Sequence, residues 1–192
     1  MLAAAGFGCS TMYSTTTLFL PTYLVSERNL PLTTAGFITA LLALGGLVST
    51  LSVGFLSDRI GLRRPTIWPV GFLLPFMYFI LLSDISLPWT IVVASVIGYL
   101  TWAPFPAIQS IPFELPGIAP SEVAVGQALI RTLQTSMNLM GPIVAGAVGE
   151  GTGSLRLGIL ALAAFPFITG IMGLMLPETG PGRRSANLNH MV

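Results

Sequence analysis

The chain is 192 residues long, 53% of its residues are hydrophobic, only 8% are charged, and its formal net charge is +1. Charged residues make up about 25% of a typical soluble domain, and a water-soluble fold of this length could not bury so much apolar surface. We therefore expect a lipid bilayer to solvate most of the chain. The near-zero net charge argues against a nucleic-acid partner, and the single cysteine, Cys9, excludes an internal disulfide framework.

A helix needs roughly 20 mostly apolar residues to cross a bilayer, and six stretches of the sequence meet this requirement. In chain order these segments cover about residues 2–25, 34–56, 66–82, 89–112, 121–148 and 156–176. We predict an all-α membrane protein in which residues 1–177 form one bundle of six transmembrane helices. Residues 178–192 form a polar tail that we expect to be disordered.

The first segment lacks the basic start and cleavage site of a signal peptide, so we interpret it as a mature helix. Its apolar run begins at Leu2. Because the reading frame opens inside a membrane helix, we expect that a part of the protein precedes this chain.

The first and fourth segments would hold matching positions in an inverted repeat of two three-helix units. Both are irregular, since the first carries a run of hydroxyl residues and Pro21, and the fourth carries Pro104, Pro106 and Pro112. Matched irregular helices indicate a transport site, although kinked helices can also serve packing alone. On these two segments, we expect four polar or aromatic side chains to contact the substrate, namely Tyr13, Thr17, Trp102 and Gln109.

The fifth segment carries Arg131 about ten residues from its start, which is roughly 15 Å along a helix and near the bilayer midplane. An Arg at that depth costs at least ~2.5 kcal/mol, so it is expected to face a cavity or a partner. Gln127, Gln134 and Asn138 share its helical face. This stripe predicts a site for an anionic or carboxylate-bearing substrate. The alternative is that Arg131 pairs with a carboxylate of a missing half, or with Glu114 or Asp58.

The distribution of arginine predicts the orientation of the bundle in the membrane. With six crossings, the second-to-third connection and the tail lie on one side and hold five arginines, whereas the opposite side holds Arg28 and Arg156. Positive connections stay in the cytoplasm. We therefore expect a multi-pass protein of the cell (plasma) membrane with both termini cytoplasmic. The five arginines are Arg59, Arg63, Arg64, Arg183 and Arg184.

The connection between the second and third segments reads GFLSDRIGLRRP, from Gly54 to Pro65. Gly54 is expected to let a neighbouring helix approach closely, and Gly61 to support a tight turn. Asp58 can pair with an arginine or with the positive end of a helix. Glu114 is expected to pair with Arg63 or Arg64. The segment resembles the signature loop, G-x-L-small-D-R-x-G-basic-basic, that joins the second and third helices of each half of the major facilitator superfamily. Leu62 stands where a basic residue is usual.

Two further stretches carry the same resemblance. Glu114 and Pro116, in FELPG, match the turn after the fourth helix, although the arginine expected downstream is absent. The sequence LPETG near the end is similar to the cytoplasmic exit of the last helix in many members. The resemblance spans nearly all of the chain, and the short tail after LPETG favours a carboxy-terminal half.

The resemblance implies secondary transport of a small solute by alternating access, with the partner being an amino-terminal half or a second copy of this chain. It implies that the loop acts as a conformational latch, formed by Gly54, Asp58, Arg59, Gly61, Arg63, Arg64 and Glu114. No cofactor or metal is expected. The alternatives are a half-size bundle that needs a partner, and a truncated product that does not transport.

An enzyme and a channel are the competing classes. The only histidine is His190, in the tail, and the H-E-x-x-H motif of an intramembrane metalloprotease is missing. A small-solute channel would show paired re-entrant motifs and no signature loop. Both classes are therefore disfavoured.

Overall fold

The computed structural model describes residues 2–114, 117 and 119–179, and the tail positions Arg183, Arg184 and His190, together with Pro116, lie outside this part of the chain. All regular structure in the described residues is helical, which confirms the all-α prediction. The eight α-helices are α1 (Leu2–Ser26), α2 (Leu32–Ile60), α3 (Trp68–Leu81), α4 (Leu87–Trp102), α5 (Pro104–Glu114), α6 (Pro120–Thr152), α7 (Leu155–Leu160) and α8 (Pro166–Met175); a 3-10 turn, Arg64–Thr66, precedes α3.

Proline divides two of the six predicted segments into two helices each. The fourth segment breaks at Ala103, because Pro104 has no N–H to continue the hydrogen-bond ladder. The sixth segment breaks before Pro166, where the backbone between α7 and α8 turns to the tighter three-residue bonding pattern, with Phe165 N donating to Leu162 O at 2.9 Å.

Three helical stretches of the described residues are long and apolar enough to cross a bilayer by length and composition: Leu32–Ile60, Arg64–Leu81 and Leu87–Glu114. Helices α1 and α6 contain 25 and 33 residues, which correspond to roughly 37 and 50 Å. Both reach across a bilayer in length but carry many polar side chains. The six crossings therefore stay a prediction.

Helix α1 lies at the centre of the bundle and packs against α6 and α8, while α2 packs against α4 and α3 against α8. The core that they enclose contains fully buried Met12, Leu20, Leu74, Tyr78 and Ile97. Many large apolar side chains of α2 and α6 point outwards instead. A bilayer or a partner surface is required to cover them.

Glycine brings α2 and α4 into backbone contact. A Cβ added to Gly98 would lie 2.8 Å from Cα of Leu42, and one added to Gly45 would lie 2.6 Å from the carbonyl oxygen of Ser95. No side chain fits in either place, so both positions need glycine, as in the glycine-mediated helix pairs of membrane proteins.

The connections α1–α2, α3–α4 and α6–α7 meet at one end of the bundle. Arg28 donates to the carbonyl oxygens of Ser83, at 3.0 Å, and of Ile85. The Glu27 carboxylate accepts from the backbone N–H of Arg156 at 3.2 Å. These bonds join the end of α1 to both of the other connections.

Candidate functional site

A partly enclosed cavity of about 140 Å³ lies between α1, the α4–α5 break and α6. Its lining residues are Ser10, Tyr13, Ser14, Thr101, Trp102, Phe105, Arg131, Gln134, Thr135 and Asn138. We call it the Arg131 cavity. Two irregular features meet there, namely the hydroxyl-rich middle of α1 and the break in the proline-rich segment.

Close packing between α1 and α6 positions the polar wall of the Arg131 cavity. A Cβ on Gly141 would lie 2.5 Å from Oγ1 of Thr15, so glycine lets the two helices meet. The Ser14 hydroxyl donates to the carbonyl oxygen of Asn138 at 2.9 Å. The amide of Gln134 lies over Gly6 and the residue is only 7% exposed.

Three aromatic rings form the opposite wall. The Tyr13 and Trp102 rings meet edge to face with their centroids 5.6 Å apart, and the Trp102 and Phe105 centroids are 5.0 Å apart. Edge-to-face contact fixes the relative orientation of such rings. The cavity is therefore polar on the side of α6 and aromatic on the side of α4 and α5.

Arg131 is the charged residue of this cavity. Its side chain is exposed, and none of the hydrogen bonds and ion pairs within the described residues includes it. The pairing with Glu114 or Asp58, offered as an alternative from the sequence, is not formed, because both carboxylates bind Arg63 instead. The guanidinium group thus keeps its donors for another molecule.

The structure brings together Tyr13, Trp102, Arg131, Gln134 and Asn138 of the predicted substrate contacts. The other three do not line the cavity. The Thr17 hydroxyl donates to the carbonyl oxygens of Tyr13 and Ser14, both at 3.0 Å. The Gln127 amide donates to the carbonyl oxygen of Gln109 at 2.8 Å and so joins α6 to α5.

Sequence reasoning missed five lining residues. For Ser10 and Ser14 a signal existed, because their spacing puts them near Tyr13 and Thr17 on one side of α1. The others depend on how α4 and α5 meet α6, which a sequence does not show. They are Thr101, Phe105 and Thr135.

At the end of the bundle opposite Arg28, Arg63 is the centre of a charged network. Its side chain is 7% exposed and donates to Asp58 Oδ1 at 2.6 Å and to Glu114 Oε1 at 2.6 Å. The Ser57 hydroxyl accepts a further bond at 3.0 Å. The expected pairing of Glu114 with Arg63 or Arg64 is therefore confirmed for Arg63.

Glu178, in the LPETG stretch, closes the Arg63 network from the end of the last helix. Its two carboxylate oxygens accept the backbone N–H groups of Arg63, at 2.7 Å, and of Arg64, at 3.0 Å. The Thr179 hydroxyl donates to Glu114 at 3.0 Å. Hydrogen bonding to Glu114 raises the pKa of the Arg63 guanidinium, so this arginine stays charged. Three separate parts of the chain are held together at one point.

The two glycines of the loop differ in role. Gly61 has φ 71° and its N–H donates to the carbonyl oxygen of Ser57 at 2.9 Å, so it ends α2 in the left-handed conformation that glycine favours. The expectation for Gly54 is wrong. A Cβ there would lie 3.7 Å from Cβ of Pro106, an ordinary contact that does not require glycine.

A protein-family model described as Major Facilitator Superfamily matches residues 2–190. A comparison with curated proteins gives no match. The match includes the loop that holds the Arg63 network and every helix that lines the Arg131 cavity. The chain therefore belongs to the major facilitator superfamily of membrane transporters.

Proposed function

We propose that this chain is the carboxy-terminal half of a secondary transporter that moves a small anionic solute across the cell membrane by alternating access. The observation that carries the proposal is the position of Arg131, an arginine exposed on a cavity wall among polar and aromatic side chains. Its planar group of donors matches a carboxylate or phosphate.

The electrostatics of the Arg131 cavity favour an anion. None of its described lining residues is acidic, so a bound cation would meet an unbalanced positive charge. Gln134 and Thr135 add groups that can donate hydrogen bonds to an anion's oxygens. Hydrogen bonds to a charged group are about twice as strong as those between neutral groups.

The pairing of helices supports a bundle of two inverted three-helix repeats. In such a repeat, α1 corresponds to α4, α2 to α6, and α3 to α8. The α1–α6 contact in one direction then corresponds to the α4–α2 contact in the other, and the α1–α8 contact corresponds to the α4–α3 contact. The α3–α8 contact maps onto itself. Repeats of this kind place the transport site where the two central irregular helices meet.

The grouping of the connections supports six crossings and the proposed orientation. Arg59, Arg63 and Arg64 lie at the end of the bundle opposite Arg28 and Asp84. The arginine-rich end is assigned to the cytoplasm by the usual charge bias. The partner half, or a second copy, would cover the exposed apolar faces of α2 and α6.

The first test is uptake of labelled anions by the product of the complete gene in liposomes. With benzoate, succinate and phosphate as probes, at least one is expected to be taken up, and Arg131→Gln is expected to raise its KM about tenfold or more through loss of a charge-assisted bond.

Thr132→Ala is the matched control, because the hydroxyl of this exposed neighbour donates to the carbonyl oxygen of Ala128 in the same helix. An unchanged KM for Arg131→Gln would contradict an anion site. Absence of any uptake would favour a non-transporting product.

The second test concerns the latch. The Asp58 side chain is 68% exposed and holds Arg63 through one bond, so it can also meet the partner half. Asp58→Asn is expected to slow uptake by about fivefold or more, the range of a coupling between conformational states. Folding should be retained, because Glu114 still binds Arg63.

Asp84→Asn serves as the control for Asp58→Asn. It removes a carboxylate that is 85% exposed at the opposite end of the bundle. If both variants transport at the wild-type rate, the latch proposal is wrong.

A further inference from the structure

A second cavity of about 300 Å³ adjoins the Arg131 cavity and is more open. It lies between α1, α2 and α4, and we call it the Gly46 cavity. Its lining residues are Tyr13, Ala43, Gly46, Leu47, Thr50 and Trp102. Tyr13 and Trp102 line both cavities, so this edge-to-face ring pair stands between them. None of the described residues that line the Gly46 cavity is charged.

Glycine at position 46 determines where the Trp102 ring lies. A Cβ there would be 2.8 Å from Nε1 and 2.9 Å from Cγ of the indole, which is too close for any real contact. The indole therefore rests against the backbone of α2 only because residue 46 has no side chain. A larger residue would push the ring away from α2 and change both cavities.

We propose that the Gly46 cavity is a second substrate subsite, and that the transported solute is an amphipathic acid. This inference rests on the proposed function, since it needs Arg131 to bind the acid group. The uncharged tail of the same molecule passes Tyr13 and Trp102 and enters the Gly46 cavity.

The sizes and polarities of the two cavities support binding of the acid group in one and of the tail in the other. A cavity of roughly 150 Å³ accommodates a benzene molecule, so the Arg131 cavity, at about 140 Å³, holds the acid group and the first few carbons of a tail, and a longer tail must extend beyond it. The Gly46 cavity is about twice as large. Because it has no charged lining residue, it favours apolar groups over charged ones. Aromatic rings between the two cavities suit the first carbons of a tail.

The test measures binding of a series of acids to the complete transporter in lipid nanodiscs. Acetate, butyrate and hexanoate have the same acid group and tails of increasing length. Affinity is expected to rise about fourfold for each added methylene that is buried. Hexanamide, which has the tail without the charge, should bind about tenfold or more weakly than hexanoate.

The Gly46→Ala variant tests binding of the tail separately from binding of the acid group. It should weaken hexanoate binding about fifteenfold, through loss of roughly two buried methylenes, and weaken acetate binding by a clearly smaller factor, because only the tail enters the Gly46 cavity. Gly36→Ala is the control in the same helix, because a Cβ there meets no atom within 4 Å. If Gly46→Ala does not fold, Ala43→Phe fills the cavity from an exposed position of α2 and should have the same selective effect.

The outcomes separate the two proposals. If affinity does not depend on tail length, or if the Gly46 and Ala43 variants weaken acetate and hexanoate equally, the second subsite is wrong while the anion site stands. The Gly46 cavity would then be filled by lipid or by the partner half. Equal binding of hexanoate and hexanamide would overturn the anionic substrate, and with it the proposed function.

Discussion

Replacing Arg63 with Ala is expected to lower the free energy of unfolding by roughly 2–3 kcal/mol, because it removes a largely buried cation that binds two carboxylates. The guanidinium group is 7% exposed and joins Asp58 at the end of α2 to Glu114 at the end of α5. Without it, the Glu114 carboxylate, whose side chain is 18% exposed, loses the charge-assisted hydrogen bonds that Arg63 donates to it in a poorly solvated place. The loss stays below that of a fully buried pair because Asp58 is largely exposed.

Titration with a denaturing detergent in lipid bicelles measures the effect of Arg63→Ala. Arg59→Ala is the matched control, since this exposed arginine lies in the last turn of α2 and should change stability by less than about 0.5 kcal/mol. Arg63→Lys keeps the charge but cannot donate to Asp58 and Glu114 in the same planar geometry, and is expected to lie between the two. Equal stability of the Arg63→Ala and Arg59→Ala proteins would show that the network contributes nothing.

Gly71→Ala is expected to destabilise the bundle by about 2–3 kcal/mol, at the upper end of overpacking effects. A Cβ there would lie 2.5 Å from Cα of Gly170 and 2.7 Å from the carbonyl oxygen of Pro166. Both are backbone atoms of α8, which cannot turn aside as a side chain can. Helices α3 and α8 would have to separate, and the core around buried Leu74 would open.

Thermal unfolding followed by the loss of monodisperse protein measures this effect. Gly126→Ala is the control, because position 126 of α6 has no atom within 4 Å of an added Cβ. Alanine is the better helix former by up to about 1 kcal/mol, so this variant should be neutral or more stable. A Gly71→Ala protein as stable as the Gly126→Ala protein would show that α3 and α8 do not pack as closely as described.

Local chemistry made part of the candidate site predictable. Arg131, Gln134 and Asn138 share one side of a helix whose length was evident from composition, so the polar stripe of α6 followed from helical periodicity alone. The pairing of Glu114 with a loop arginine followed from charge, because a carboxylate at the membrane edge needs a partner. Gly61 was recognised as a turn residue because glycine readily adopts the backbone conformations that a tight turn requires.

Contacts between distant segments were not predictable in this way. Thr17 and Gln127 have the right residue types on plausible faces, but their hydrogen bonds go to nearby backbone oxygens rather than into the cavity. Glu178 reads as part of a family motif, and only the fold brings its carboxylate to the N–H groups of Arg63 and Arg64. Gly46 has no signal in the sequence, since its role depends on the indole of a residue in another helix.

The sequence by itself determined the class of this protein, its apolar segments and its family resemblance, because hydropathy and the loop motif are local properties of the chain. The tertiary structure decided which helices meet, that Arg131 faces a cavity instead of Glu114, and that one arginine, Arg63, holds the loop network. The physical reason is that helix pairing depends on glycines in matching positions of two helices. A single helix cannot show which of its faces another backbone will reach.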